Sequence, residues 1–143
     1  MKKSLYALLM VSLMMLVGCN KNENNDSKAS SKLVGTWELV GGTLDGQAVS
    51  QSEIEELAGY RLTFNSDGTM NVTLGVEELS SAQVTATYEL KDDMLYIDET
   101  VSFEGQTIHA EESYHVDKLT NSELILSKTK DGVTATIIYK KVS

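Results

Sequence analysis

The chain has 143 residues, 41% of them hydrophobic, and carries 12 basic against 21 acidic side chains for a formal net charge of −9. That length suits one domain with one modest core, and the acid excess excludes the basic surfaces that select nucleic acid or anionic lipid. A single cysteine excludes an internal disulfide.

Residues 1–18 read as a secretory signal. Lys2 and Lys3 supply the positive start, and "LYALLMVSLMMLV" is a continuous apolar core of signal-peptide length, roughly 7–15 residues. It is shorter than the about 20 apolar residues that span a bilayer. The segment ends Leu16-Val17-Gly18-Cys19, which resembles the lipobox of bacterial lipoproteins. The resemblance implies cleavage before Cys19 and acyl chains on the Cys19 sulfur and amine. Two or more chains anchor stably where one does not. Lipidation explains the position and the solitude of this cysteine together, whereas an odd thiol in a secreted chain is a reactive liability. Asn20, in place of Asp, matches Gram-negative lipoproteins sent to the outer membrane, facing the periplasm or the cell surface. Glu23 and Asp26 are too sparse to match an acidic surface-export signal.

From Cys19 to Ser143 there are 125 residues, and without Lys2 and Lys3 they carry 10 basic against 21 acidic side chains, a balance of −11. Attachment to a membrane therefore rests on the acyl chains. Residues 19–32 hold the cysteine and "NKNENNDSKASSK", which has no aromatic or large apolar residue and reads as a flexible tether with a reach of about 20 Å. The domain occupies residues 33–143.

Within it the pattern has period two. "YRLTF" puts Leu62 and Phe64 on one face, "TMNVTL" Met70, Val72 and Leu74, and "QVTATYEL" Val84, Ala86, Tyr88 and Leu90. "VTATIIY" alternates Val133, Ala135, Ile137 and Tyr139 with Thr134, Thr136 and Ile138. Such alternation with β-branched enrichment signals half-buried strands. It predicts eight of them, near 33–41, 60–65, 69–75, 83–90, 94–101, 106–116, 123–128 and 133–142. Turns fall at "NSDG" 65–68, "KDD" 91–93, "KLTNS" 118–122 and "KDG" 130–132. One short helix is expected in "VSQSEIEELAG": Ser50 or Ser52 would cap it with Glu53 or Glu55 three residues on, and Gly59 would stop it.

Eight short antiparallel strands with mostly tight turns suit an up-and-down barrel, which removes sheet edges. A sandwich is the alternative, but its long crossovers are not evident beyond 42–59. "LVGTWEL" carries Gly35-x-Trp37, and the spread "GTWEL…LTFNSDGTM…YELKDDMLYI…ELILSK…YKKV" resembles the lipocalin-like domains of Bacteroidetes lipoproteins. The resemblance implies an all-β, eight-stranded lipocalin-like barrel whose floor is closed by Trp37, with Gly35 beside it and a cation from the last strand stacked on the indole. Lys140 or Lys141 would supply that cation, and the usual Arg is missing. Trp37 itself reads as a core plug that buries roughly 150–250 Å² of ring.

No G-x-S-x-G elbow, H-E-x-x-H pair or P-loop occurs, so neither an enzyme nor a cofactor or metal site is expected. "TFNSDG" lacks the first and twelfth ligands of a calcium loop, where Thr63 and Leu74 stand. His109 and His115 would lie on the same outer face, about 20 Å apart, too far to share a metal. Two acids break the alternation. Glu112 falls in line with Ile108, Ala110, Tyr114 and Val116, and Glu99 with Leu95, Ile97, Val101 and Phe103. An inward carboxylate is costly unless paired or hydrated, and the commoner outcome is a bulge or register change that turns it outward. A carboxylate that stays inward marks a ligand pocket; Glu112 is the first candidate, then Glu99, with Tyr88, Tyr96 and Tyr114 as candidate walls.

Two functions follow. One is binding of a small apolar or amphipathic ligand in the barrel mouth of a lipid-anchored envelope protein. The other is a filled barrel, packed by Val84, Val133, Ile137, Leu124 and Leu126, that engages another envelope protein through its rim or outer face.

Overall fold

Hydrogen bonding runs unbroken around a single sheet in the computed structural model, which describes residues 31–56, 59–73 and 83–143. The signal segment, Cys19 and most of the tether lie outside the described residues, as do residues 74 and 75 of the expected third strand. In chain order the elements are β1 Gly35–Leu44, β2 Gln47–Ala48, α1 Gln51–Glu56, β3 Arg61–Phe64, β4 Thr69–Thr73, β5 Gln83–Lys91, β6 Met94–Phe103, β7 Gln106–Leu119, β8 Glu123–Lys130 and β9 Val133–Lys141. From β3 onward each strand is antiparallel to the next, β1 pairs with β3, and β9 returns to β1 with Trp37 opposite Lys141 and Leu39 opposite Tyr139. The result is a closed eight-stranded antiparallel barrel, the expected fold class, to which the two-residue β2 adds a short spur on β1.

Turn chemistry sets the register. Asp45-Gly46, Glu104-Gly105 and Asp131-Gly132 each take positive φ at both residues, the backbone of a two-residue hairpin whose twist matches its strands. The first of these corrects the expectation for 42–59, which holds a hairpin as well as the helix. In the β3–β4 turn the Asp67 carboxylate accepts from the Thr69 amide at 2.9 Å and its hydroxyl at 2.6 Å, and these bonds hold the Asp67 pKa below its ordinary value. Ser50, not Ser52, caps α1: its amide donates to Glu53 Oε2 at 3.1 Å while the Glu53 amide reaches back to Ser50 Oγ at 3.4 Å, a reciprocal capping box. Gly59 follows with a φ of +91°.

One end of the barrel is packed solid. Leu33, Trp37, Phe64, Leu95, Leu124 and Leu126 are at most 1% exposed. The Trp37 indole donates from Nε1 to the Leu33 carbonyl at 2.8 Å, so the one polar atom of the plug is satisfied where its ring is buried. Gly35 stands beside it at a φ of +133°, and a Cβ there would come within 2.5 Å of both Lys141 Cε and the Ser143 carbonyl oxygen. Side-chain parity decides which lysine meets the indole. Tyr139 points inward, so Lys141 does too and places Nζ 5.2 Å from the Trp37 ring centroid. Lys140 is exposed between Glu38 and Glu123 in register, which corrects its expected place at the floor.

The opposite end is looser. Val133 is 42% exposed and Ile108 46%, so Val133 does not fill the interior as expected; Leu124 and Leu126 do.

Candidate functional site

The β6–β7 hairpin assembles the interior site. Its Glu104-Gly105 turn fixes Ile97 opposite Glu112 and Glu99 opposite Ala110, while β5 sets Ala86 on the other side of Glu99. Neither β6 ladder is interrupted, and the bulge in β7 falls between Val116 and Lys118, past Glu112. The outward turn expected of the two acids therefore does not occur: both face inward. The alanines on either side of Glu99 leave room where larger residues would close the interior.

Glu112 is 7% exposed, the one buried charged residue among those described. Lys128 of β8 meets it with Nζ 3.2 Å from Oε2, and the Tyr114 hydroxyl donates to the same oxygen at 2.5 Å. Lys128 also lies 5.2 Å from the Tyr114 ring centroid, a cation–π contact. A cavity of about 40 Å³ opens beside this group, with Glu99, Glu112, Tyr60, Tyr114 and Tyr139 as its polar lining. Leu62, Met70, Val72, Ile97 and Leu126 form its apolar wall. Since one water needs roughly 10–15 Å³, the space suits a few waters or the head of a small molecule.

Glu99 differs from Glu112 in having no hydrogen-bond partner among the described residues. Burial, then the nearby Glu112 carboxylate, push its pKa up to about 7, with Lys128 opposing. Glu112 is raised by burial and held back by Tyr114 and Lys128. Burial pushes the hydroxyls of Tyr60, Tyr114 and Tyr139 upward too, so all three are neutral donors. Because the folded state holds the Glu99 proton more tightly than the unfolded chain does, stability from this group is present at low pH and is lost as pH rises from about 4.3 to about 7. Glu99→Gln, which keeps the shape without the charge, is accordingly expected to gain about 1–3 kcal/mol at pH 8 and little at pH 4.5. Urea unfolding at both pH values checks this; an equal effect at the two would remove the charge from the explanation.

Of the expected walls, Tyr114 lies in the site and two others do not. Tyr96 is 40% exposed on the outer face, because it alternates with the inward Leu95 and Ile97. Tyr88 points in but at the packed end, where its hydroxyl donates to the Asn65 carbonyl at 2.6 Å and its ring meets Phe64 edge to face at 4.9 Å. The histidines are exposed outside, His109 near Asp98 at 3.5 Å and His115 against Asp117 at 2.7 Å. Asp98, His109 and Glu111 converge within 4.8 Å on that outer face, an exposed charged group of the kind solvated sheets carry. Lys128, Tyr60 and Tyr139 were missed as site residues. The signal was present for each: Lys128 shares the parity of Leu124 and Leu126, Tyr60 that of Leu62 and Phe64, and Tyr139 that of Ala135 and Ile137.

Comparison with known proteins bears on the whole domain. The family model for the lipocalin-like domain matches residues 33–126, about two thirds of the chain. Among solved structures, one similar chain is a siderocalin, Ex-FABP, described as functioning through dual ligand specificities; it is 12% identical over 77% of this chain and 74% of its own, with a TM-score of 0.31. No curated protein matches the sequence.

Proposed function

The chain belongs to the lipocalin-like domain family, and on that premise we propose that it is a lipid-anchored protein of the bacterial cell envelope that binds one small ligand, polar end first, and catalyses no reaction. The observation that carries the binding reading is the interior cavity with charged and hydroxylic groups on one side and apolar groups on the other. Ligand sites combine a mostly apolar lining with a few placed polar groups, and a plain structural core has no use for an inward carboxylate. The cavity holds only the head of an amphipathic molecule, so its apolar part would extend toward the looser end of the barrel. Anchoring rests on the L-x-G-C segment ending at Cys19 and the outer-membrane location on Asn20.

Two measurements test this. The full chain, extracted from its native envelope and weighed by native mass spectrometry, is expected to carry a reproducible extra mass that denaturation removes. Cys19→Ser is expected to move the protein from the membrane to the soluble fraction; a variant that still sediments with membranes would overturn the anchor. A second reading is favoured by the solid packing of Trp37, Phe64, Leu95, Leu124 and Leu126: a filled barrel that serves as an interaction module for another envelope protein. A bare mass in repeated preparations would favour it.

A further inference from the structure

We propose that the interior cavity is an amine site, in which the Glu99 carboxylate receives the protonated nitrogen of a small organic cation. The inference rests on the ligand-binding reading above and adds the chemical class. One oxygen of Glu112 is already engaged, since Tyr114 and Lys128 both donate to its Oε2. Among the described residues no cation lines the cavity: Lys128, the lysine that opposes the rise in the Glu99 pKa, is bonded to Glu112. Glu99 is the second carboxylate on the same space, with no hydrogen-bond partner among the described residues. An unpaired, partly buried carboxylate is costly, and a ligand that brings one positive charge offsets that cost. A primary ammonium offers three donors. Glu99 provides the charged acceptor, and the hydroxyls of Tyr60 and Tyr139, which line the same cavity, have no hydrogen-bond partner among the described residues. Tyrosine faces also attract cations. The volume of about 40 Å³ admits an ammonium with its first carbons and no bulkier head. At pH 8, where Glu99 is ionised, an anionic head would meet its charge, and a neutral alcohol would leave that charge uncompensated.

The groups facing Glu99 are Glu112 and Tyr114 from β7, Lys128 from β8, Tyr139 from β9 and Tyr60 ahead of β3, while β5 presents the uncharged Ala86. Protons compete with the ligand for Glu99, so affinity should fall as pH falls.

The test uses the full lipidated chain in neutral detergent with n-butylammonium, n-butanol and butyrate as probes, followed by NMR of its labelled methionine methyls. The expected result is a saturable shift of the Met70 methyl by n-butylammonium, at least tenfold weaker binding of the other two, and at least a fivefold loss of amine affinity between pH 8 and pH 5.5. Glu99→Gln should keep the cooperative unfolding transition and lose at least tenfold in amine affinity. Butanol or butyrate binding as well as the amine, or undiminished amine binding by a folded Glu99→Gln, would overturn the amine assignment and leave the ligand-binding reading standing. No response to any of the three would overturn the amine assignment too, and only a bare native mass would then remove the wider reading with it.

Discussion

Trp37→Ala is expected to cost the domain about 3–5 kcal/mol, a large part of the roughly 5–15 kcal/mol that holds a small domain folded. The indole is fully buried between Leu33, Phe64, Leu95 and Leu124 at the packed end, where neighbouring strands are tied into a closed ladder and cannot collapse into the space. The Leu33 carbonyl would lose the Nε1 donor at 2.8 Å, and Lys141 its aromatic partner. Trp37→Phe keeps most of the ring and loses the donor, so it should cost less, near the about 1–3 kcal/mol of an orphaned buried acceptor plus a partial cavity. Trp37 is the one tryptophan of the chain, so both variants need circular dichroism rather than fluorescence to follow urea unfolding. A Trp37→Ala midpoint indistinguishable from the parent would sink the floor-plug role.

Lys128→Met carries the second large effect, and its size should depend on pH. Removing one partner of a buried pair leaves the other uncompensated, which costs about 3–5 kcal/mol. Here the survivor is Glu112, whose pKa burial already raises and Lys128 opposes; without the lysine it rises further. A raised acid pKa in the folded state means that stability is retained while the group is protonated and lost as pH climbs through the folded value. The variant should therefore lose most at pH 8 and recover much of that loss at pH 5. Lys128→Met combined with Glu112→Leu removes both charges and is expected to come back toward the parent, as exchanged buried pairs often do. Equal losses at the two pH values would mean that packing of the lysine stem, and not its charge, is what matters.

The barrel was legible in the sequence because its alternation survives nearly intact: Leu62 and Phe64, Met70 and Val72, Leu124 and Leu126 all face the interior as their spacing requires. What period two does not contain is height along the barrel axis. Tyr88 and Tyr114 share inward parity, yet one packs on Phe64 at the closed end and the other lines the cavity. Val133 and Tyr139 differ in the same way, one 42% exposed and the other 4%. Register between strands was the second missing quantity. Once Glu104-Gly105 is recognised as a two-residue turn, counting back from it sets Glu99 and Glu112 on neighbouring strands two residues out of step, and the two acids become one site. Tyr96 was misplaced for a simpler reason: its parity with Leu95 and Ile97 already pointed it outward.

The order of the strands has a consequence for how the molecule is made. From β3 to β9 each strand pairs with its chain neighbour, so seven strands can assemble by successive local steps whose loop-closure entropy is small. Only the β1–β9 seam joins residues about a hundred positions apart, Trp37 with Lys141 and Leu39 with Tyr139. Non-local pairings of this kind are the slow ones. Until the seam forms, β9 and the far side of β1 are open edges, each a template for a second chain. Productive folding and self-association thus compete for the same two edges, and the competition is sharpest where many copies are synthesised close together.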